Sequence, residues 1–360
     1  MIQIFPISEK KKYSCFRFFE TFILIFKFTF ASKLSKVSHL LRFLLVSIFL
    51  VFVIQGCETE SKLEKEISGL DIKLKMQRFD LEFADASPED LPRLKAKYPY
   101  LFPPQFPDSV WKLKMLDTIQ LEIESEVISK HEDFTTNFDR LYRFFQHLHY
   151  YFPSMQIPKI ITLAEEVDYQ NKVILNDSLL FISLDNYLGE EHHFYVGIYQ
   201  YIAKLQDDAF LISDVADEFI DQLMPPLKER DFLSIMIHYG KKLYLKDKLM
   251  PFEKEHTRIH YDQDQLDWAY ANEEQIWQFF VEKELLFSTD PNLRTRFINL
   301  APYSKFYLEL DADSPPRLGQ FIGWEIVRSY MNKNKGVSLE ELILENPTHI
   351  FNNSTYKPKR

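Results

Sequence analysis

The sequence predicts an α+β fold dominated by helices, with one small sheet in the first half of the body. Three observations carry this. Beyond about residue 210, apolar residues recur at helical spacing almost without a break, punctuated by Pro225-Pro226, Pro251 and Pro291. Before that point the clearest strand signals are two: a β-branched run at Lys159–Leu163 and a second over 173–182. No internal repeat and no low-complexity linker divides the chain, so residues 76–360 read as one globular domain with a small hairpin sheet.

Element by element, Ser87-Pro88-Glu89-Asp90 opens a helix, with Ser as cap, Pro in the first turn and acids at the positive dipole end. Four prolines over 99–107 mark an ordered, turn-rich connection. Phe138, Leu141, Tyr142, Phe145 and Leu148 repeat at helical spacing and predict a helix over 138–152, ended by Pro153. The run over 173–182 reads as a hairpin turning at Asn176-Asp177. Helices are then expected at 212–223, 231–249, 262–284, 292–299, 315–332 and 338–345.

Composition removes several function classes. Only 8 of 360 residues are Gly, where roughly 7% is usual. Phosphate-cradling loops need positive φ and close backbone approach, and neither G-x-G-x-x-G nor G-x-x-x-x-G-K-[ST] occurs. Nucleotide chemistry by the common routes is therefore not expected, and the sequence points to no other cofactor. The net charge of −10 hides a split. Residues 1–56 hold eight cations against two anions, +6, and the remainder holds 35 against 51, −16. An acidic body without a basic stripe is a poor partner for nucleic acid.

The N-terminus reads as an address. Lys33, Lys36 and Arg42 precede an apolar run over 43–54, whose twelve residues span about 18 Å as a helix, short of a roughly 30 Å hydrocarbon core. The run ends in Ile54-Gln55-Gly56-Cys57, a lipobox pattern. Residues 1–56 are thus expected to be a bacterial signal peptide, with 1–32 a mis-called extension of the start. Cys57 becomes the lipid-attached first residue of an envelope protein, and 57–75 its charged tether. Cys15 lies in the removed part, so the mature chain has no disulfide to make.

Candidate chemistry is sparse. On the helix over 212–223, Ile212, Val215, Ala216, Phe219 and Leu223 form an apolar face, with Asp214, Asp217, Glu218 and Asp221 on the other side behind Ser213. Paired acids one turn apart suit a hard cation or acid–base work, but acids at a helix start also simply favour the dipole and water, and that simpler role is expected here. His256 and His260 have a spacing that zinc uses on a helix, yet they fall in a connection; His147/His149 and His192-His193 point their rings apart. No G-x-S-x-G elbow exists. Gly319-x-x-x-Gly323 is expected to let a buried helix approach its neighbour, with Glu325 and Arg328 pairing with each other or with nearby charges.

Six separated segments resemble the gliding-motility lipoprotein GldB family: Gly56-Cys57, 182–189, 235–244, 265–269, 287–290 and 316–324. The resemblance implies a lipid-anchored envelope component needed for gliding and its secretion machinery, with a membrane and protein partners. It comes with no reaction. That family in turn is similar to predicted zinc proteases, in which a His-Glu-x-x-His helix follows the hairpin. Here the motif falls on Asp217, Glu218 and Asp221, with Glu kept and both imidazoles replaced by carboxylates; the downstream ligand falls on Tyr239 or His238. The resemblance thus implies a zincin-like scaffold with a degenerate metal motif, no catalytic residue and no metal. The alternative is an envelope hydrolase using an unusual metal on that helix.

Overall fold

The computed structural model describes residues 62–309 and 311–359. The signal-peptide, lipobox and Cys57 readings lie outside the described residues. In the stretch read as a tether, Lys62–Ser68 is a short helix of a separate unit. From Leu70 onward the chain belongs to one compact unit, with Ile72 buried and its N–H donating to the Tyr142 hydroxyl at 3.2 Å.

Helices dominate, and the sheet is a single four-stranded one. Its strands are β1 (Lys75–Arg78), β2 (Lys159–Leu163), β3 (Val173–Asn176) and β4 (Leu179–Ser183), in the order β1-β2-β4-β3. β1, β2 and β4 run parallel, and β3 lies antiparallel on the outer edge of β4, pairing Val173 with Ile182. The hairpin closes on Asp177-Ser178, one residue later than expected, with Asp177 in the left-handed region at φ 44°. β2 is central and its Ile160, Ile161 and Leu163 are all buried, which explains its β-branched run. Alternation sends Ile160, Leu180 and Ile182 to one face and Ile161, Leu163 and Phe181 to the other.

The first face is covered by α2 (Thr135–Tyr151), through Leu141, Phe144, Phe145 and Leu148, and by α3 (Leu211–Leu223), through Ile212, Val215, Ala216 and Phe219. A second core is almost wholly helical, built around α4 (Phe232–Leu249) and α7 (Leu318–Lys333). Asp231 caps α4 by accepting from the Ser234 N–H at 2.9 Å.

α4 and α7 cross with their backbones touching. A Cβ on Gly323 would stand 1.8 Å from the Met236 carbonyl oxygen, and one on Gly240 would stand 2.2 Å from that of Gly323. The expected close approach through the G-x-x-x-G helix is therefore present, and Gly240 is its counterpart on the partner helix. Arg328 of α7 meets Glu325 at 2.9 Å, as expected, and also Asp247 and Glu255 at 2.7 Å each.

One helix expectation needs correction, and two elements carry no clear signal in the sequence. The helix over 262–284 is two: α5 (Gln263–Ala271) and α6 (Glu273–Glu282), because the Asn272 side chain donates to the Trp268 carbonyl and closes the first. The helix α1 (Thr118–His131) went unread because Ile119 and Leu121 sit on its exposed side and blur the period. Strand β1 (KMQR) carries one apolar residue and no β-branched one, so nothing in it signals a strand.

Candidate functional site

Helix α3 puts its acids into three different environments rather than one solvent-facing stripe. The Asp214 side chain is 13% exposed, Asp217 40% and Asp221 59%. The reason is position: Asp214 lies near the start of α3, where β4's extension, the 169–172 loop and the His260 loop close over it. The water-facing expectation holds for Asp221 and fails for Asp214. Ser213 is not a cap either; it is buried, and its hydroxyl accepts from Lys246 Nζ at 2.8 Å.

Asp214 is fully engaged. Lys172 Nζ lies 2.5 Å from one carboxylate oxygen, to which the Tyr187 hydroxyl also donates at 2.9 Å, and His260 Nε2 donates to the other at 2.7 Å. Burial would raise its pKa, but Lys172 and His260 outweigh that and hold the carboxyl well below the usual range. Because Asp214 stays ionised and can only accept, His260 carries its proton on Nε2 and leaves Nδ1 as an acceptor. Burial, helped by Lys246, pushes the His260 pKa down, against the pull of Asp214. Burial likewise raises Tyr187, with Asp214 beside it.

Asp217 is held by Lys246, 2.8 Å away, and its second oxygen is 3.8 Å from His260 Nε2. Lys246 reaches across from α4, is itself buried, and spends its three donors on Ser213, Asp217 and the Arg258 carbonyl. Asp221 is paired with Lys242, and Glu218 lies between, facing β3. Burial raises the Glu218 pKa, against the Leu175 backbone N–H of β3.

The residues that meet are thus Asp214, Asp217 and His260, whose ligand atoms lie within 4.8 Å of one another. Among the described residues no such group includes Asp221 or His238. His256 turns away, its Nδ1 on the Tyr261 carbonyl at 2.8 Å, and His192 and His193 each meet a glutamate of α1. The sequence held Asp214 and His260 as separate candidates. Their contact depends on a turn 46 residues downstream of Asp214, and no spacing rule joins them.

These groups floor a pocket of about 330 Å³. Lys172, Gln170, Gln206 and Arg317 line it beside Tyr169, Ile202, Leu205 and Leu300. His260 and Arg317 both have left-handed backbones, φ 57° and 60°, a conformation costing a non-glycine residue on the order of 1 kcal/mol. Arg317 is the residue just before α7, so that helix's N-terminus also points here.

No curated protein and no solved structure matches the chain. Among the described residues, no helix is long and apolar enough to cross a membrane. The model of the gliding motility protein GldB family matches residues 60–358, which include the sheet, both helical cores and every residue of the pocket, and the chain belongs to that family, with the role in gliding motility that membership implies.

Proposed function

We propose that this chain is a lipid-anchored component of the bacterial cell envelope that serves the gliding and secretion machinery by binding and assembly rather than by catalysis. Cys57 is the acylated residue, and two or more acyl chains on it anchor stably where one would not. Its partners are then the membrane, through that anchor, and proteins of the apparatus.

One observation carries the non-enzymatic part: the carboxylates at both degenerate motif positions already have a lysine. Asp217 is held by Lys246 and Asp221 by Lys242. A zinc ion would have to displace those ammonium groups, and zinc at neutral pH prefers imidazole or thiolate to carboxylate. The donor set does not fit a catalytic zinc, so no step is derived through one. Glu218 is the remaining element of a hydrolase, and it faces the edge strand.

The hydrolase reading is favoured by one observation, the meeting of Asp214, Asp217 and His260. Against it stand Lys172 and Lys246, 2.5 and 2.8 Å from the two carboxylates. A cation placed between them would pay strong repulsion in a partly desolvated site.

The test is the full lipidated chain purified from envelope membranes, assayed for metal and for co-purifying proteins. Expected are specific partners and no stoichiometric metal. Stoichiometric zinc in a chain that brings no partner would reverse the proposal. Cys57→Ser should abolish acyl labelling; a labelled variant would remove the anchor.

A further inference from the structure

We propose that the pocket binds a carboxylate carried on an apolar body, with the Arg317 guanidinium as the group that recognises it. The observation behind this is a charge left over. Asp214 and Asp217 are balanced by Lys172 and Lys246, at 2.5 and 2.8 Å. Both ammonium groups are also spent on protein carbonyls, Lys172 on Leu205 at 3.0 Å and Lys246 on Arg258 at 3.2 Å. With His260 neutral, the pocket is left with one uncompensated cation.

That cation is Arg317. Among the described residues no carboxylate lies within 4.0 Å of it. Among the described residues the guanidinium's one hydrogen-bond partner is the Ile259 carbonyl, at 3.4 Å from one terminal nitrogen, and its Nε is buried without an acceptor there. A guanidinium offers five N–H donors in a planar fork, and leaving most of them unmatched in a partly buried place is costly. The fork fits a two-oxygen anion.

The two acids in the pocket do not oppose such a ligand, because each is neutralised by its own lysine. They restrict it to the Arg317 side. The walls say what the anion is attached to. Ile202, Leu205, Leu300 and Tyr169 give an apolar lining, while Gln170 and Gln206 add amides. About 330 Å³ is the small end of ligand pockets and suits one apolar side chain next to the carboxylate. Two sources share this chemistry: the C-terminus of a peptide ending in an apolar residue, and a free acylated amino acid.

The inference goes beyond the assembly role and does not depend on it. Loss of partners in a pull-down leaves the pocket standing, and loss of acid binding leaves the assembly role standing.

The experiment is titration calorimetry of the full chain in detergent with three probes: acetyl-leucine, acetyl-leucinamide, and acetyl-Ala-Ala-Leu with a free carboxylate. Both acids should bind at least about tenfold tighter than the amide, and Arg317→Gln should erase that preference. Arg317→Lys, which keeps the charge but loses the fork, should fall between. A tighter fit of the tripeptide assigns a peptide end, and equal affinity assigns a small acid. If Arg317→Gln does not fold, Ile202→Glu on the apolar wall should repel both acids. An amide that binds as well as the acids overturns the proposal. So does an Arg317→Gln or Ile202→Glu variant with unchanged affinity, or no binding of either acid at millimolar concentration.

Discussion

Arg317 and Arg328 stand eleven residues apart, one just before α7 and one near its end, and their surroundings are opposite. Arg328 has Asp247, Glu255 and Glu325 within 2.9 Å, donates to the Tyr270 hydroxyl at 2.9 Å, and lies 3.6 Å from the centre of the Trp324 ring. Burial works against its charge, but those carboxylates outweigh it and raise its pKa. Arg317 has no such partner among the described residues, and burial lowers its pKa against the more distant pull of Asp217. One arginine is part of the structure's framework. The other is held ready, in a left-handed backbone, beside a pocket. The difference teaches that a buried cation is informative only once its partners are counted.

The largest test of that contrast is Arg328→Ala. It removes the cation that Asp247, Glu255 and Glu325 share, leaving Asp247 to Arg258 and Glu325 to Lys359, and should cost about 3 kcal/mol in urea unfolding. A loss below about 1 kcal/mol would mean that the network is surface decoration. Next comes the helix that carries both residues. Gly323→Ala drives a methyl into the Met236 carbonyl and should cost about 2–3 kcal/mol, read as a lowered midpoint at unchanged slope. A neutral Gly323→Ala would show that the α4–α7 crossing gives way more easily than its geometry suggests.

Acidification should act through buried histidines. His238 and His260 have folded pKa values below their unfolded ones, His238 at about 4, chiefly through burial. Below about pH 6.5 the unfolded chain therefore takes up more protons, and stability falls as pH drops. Asp214 has the same sign through a different window, its contribution being present above the usual carboxylate range and lost below it. Between pH 7 and pH 5 the histidines should cost on the order of 1 kcal/mol, and His238→Gln should remove part of that slope. A flat profile would contradict their buried neutral state. The smallest effect is Arg317→Gln, which should change stability by no more than about 0.5 kcal/mol. A loss comparable to Arg328→Ala would make Arg317 a framework residue too.

Much of the fold was legible because it rests on local rules. The β2 run, the 173–182 hairpin and the apolar face of α3 follow from period and from β-branched content, and the G-x-x-x-G approach follows from side-chain size. The role of Gly240 as its counterpart was not, since the residue gives no sign of which helix it will meet. The site was legible only in pieces. Asp214, Asp217 and His260 were each visible, but whether an acid on α3 faces water is decided by Lys172 and Lys246, which arrive from a loop and from another helix. Arg317 lies in the 316–324 segment that carries the family resemblance, but its lack of a partner is a property of three-dimensional packing alone.

The central claim is that this GldB-family chain works without the chemistry of a metalloprotease helix. Glu218→Gln removes the one general base such chemistry would need while preserving side-chain shape. Gliding speed of cells producing this variant at the normal level is the direct measurement. Gliding equal to that of unmodified cells is the predicted result; lost gliding with the variant present in normal amount would contradict the account and promote the hydrolase.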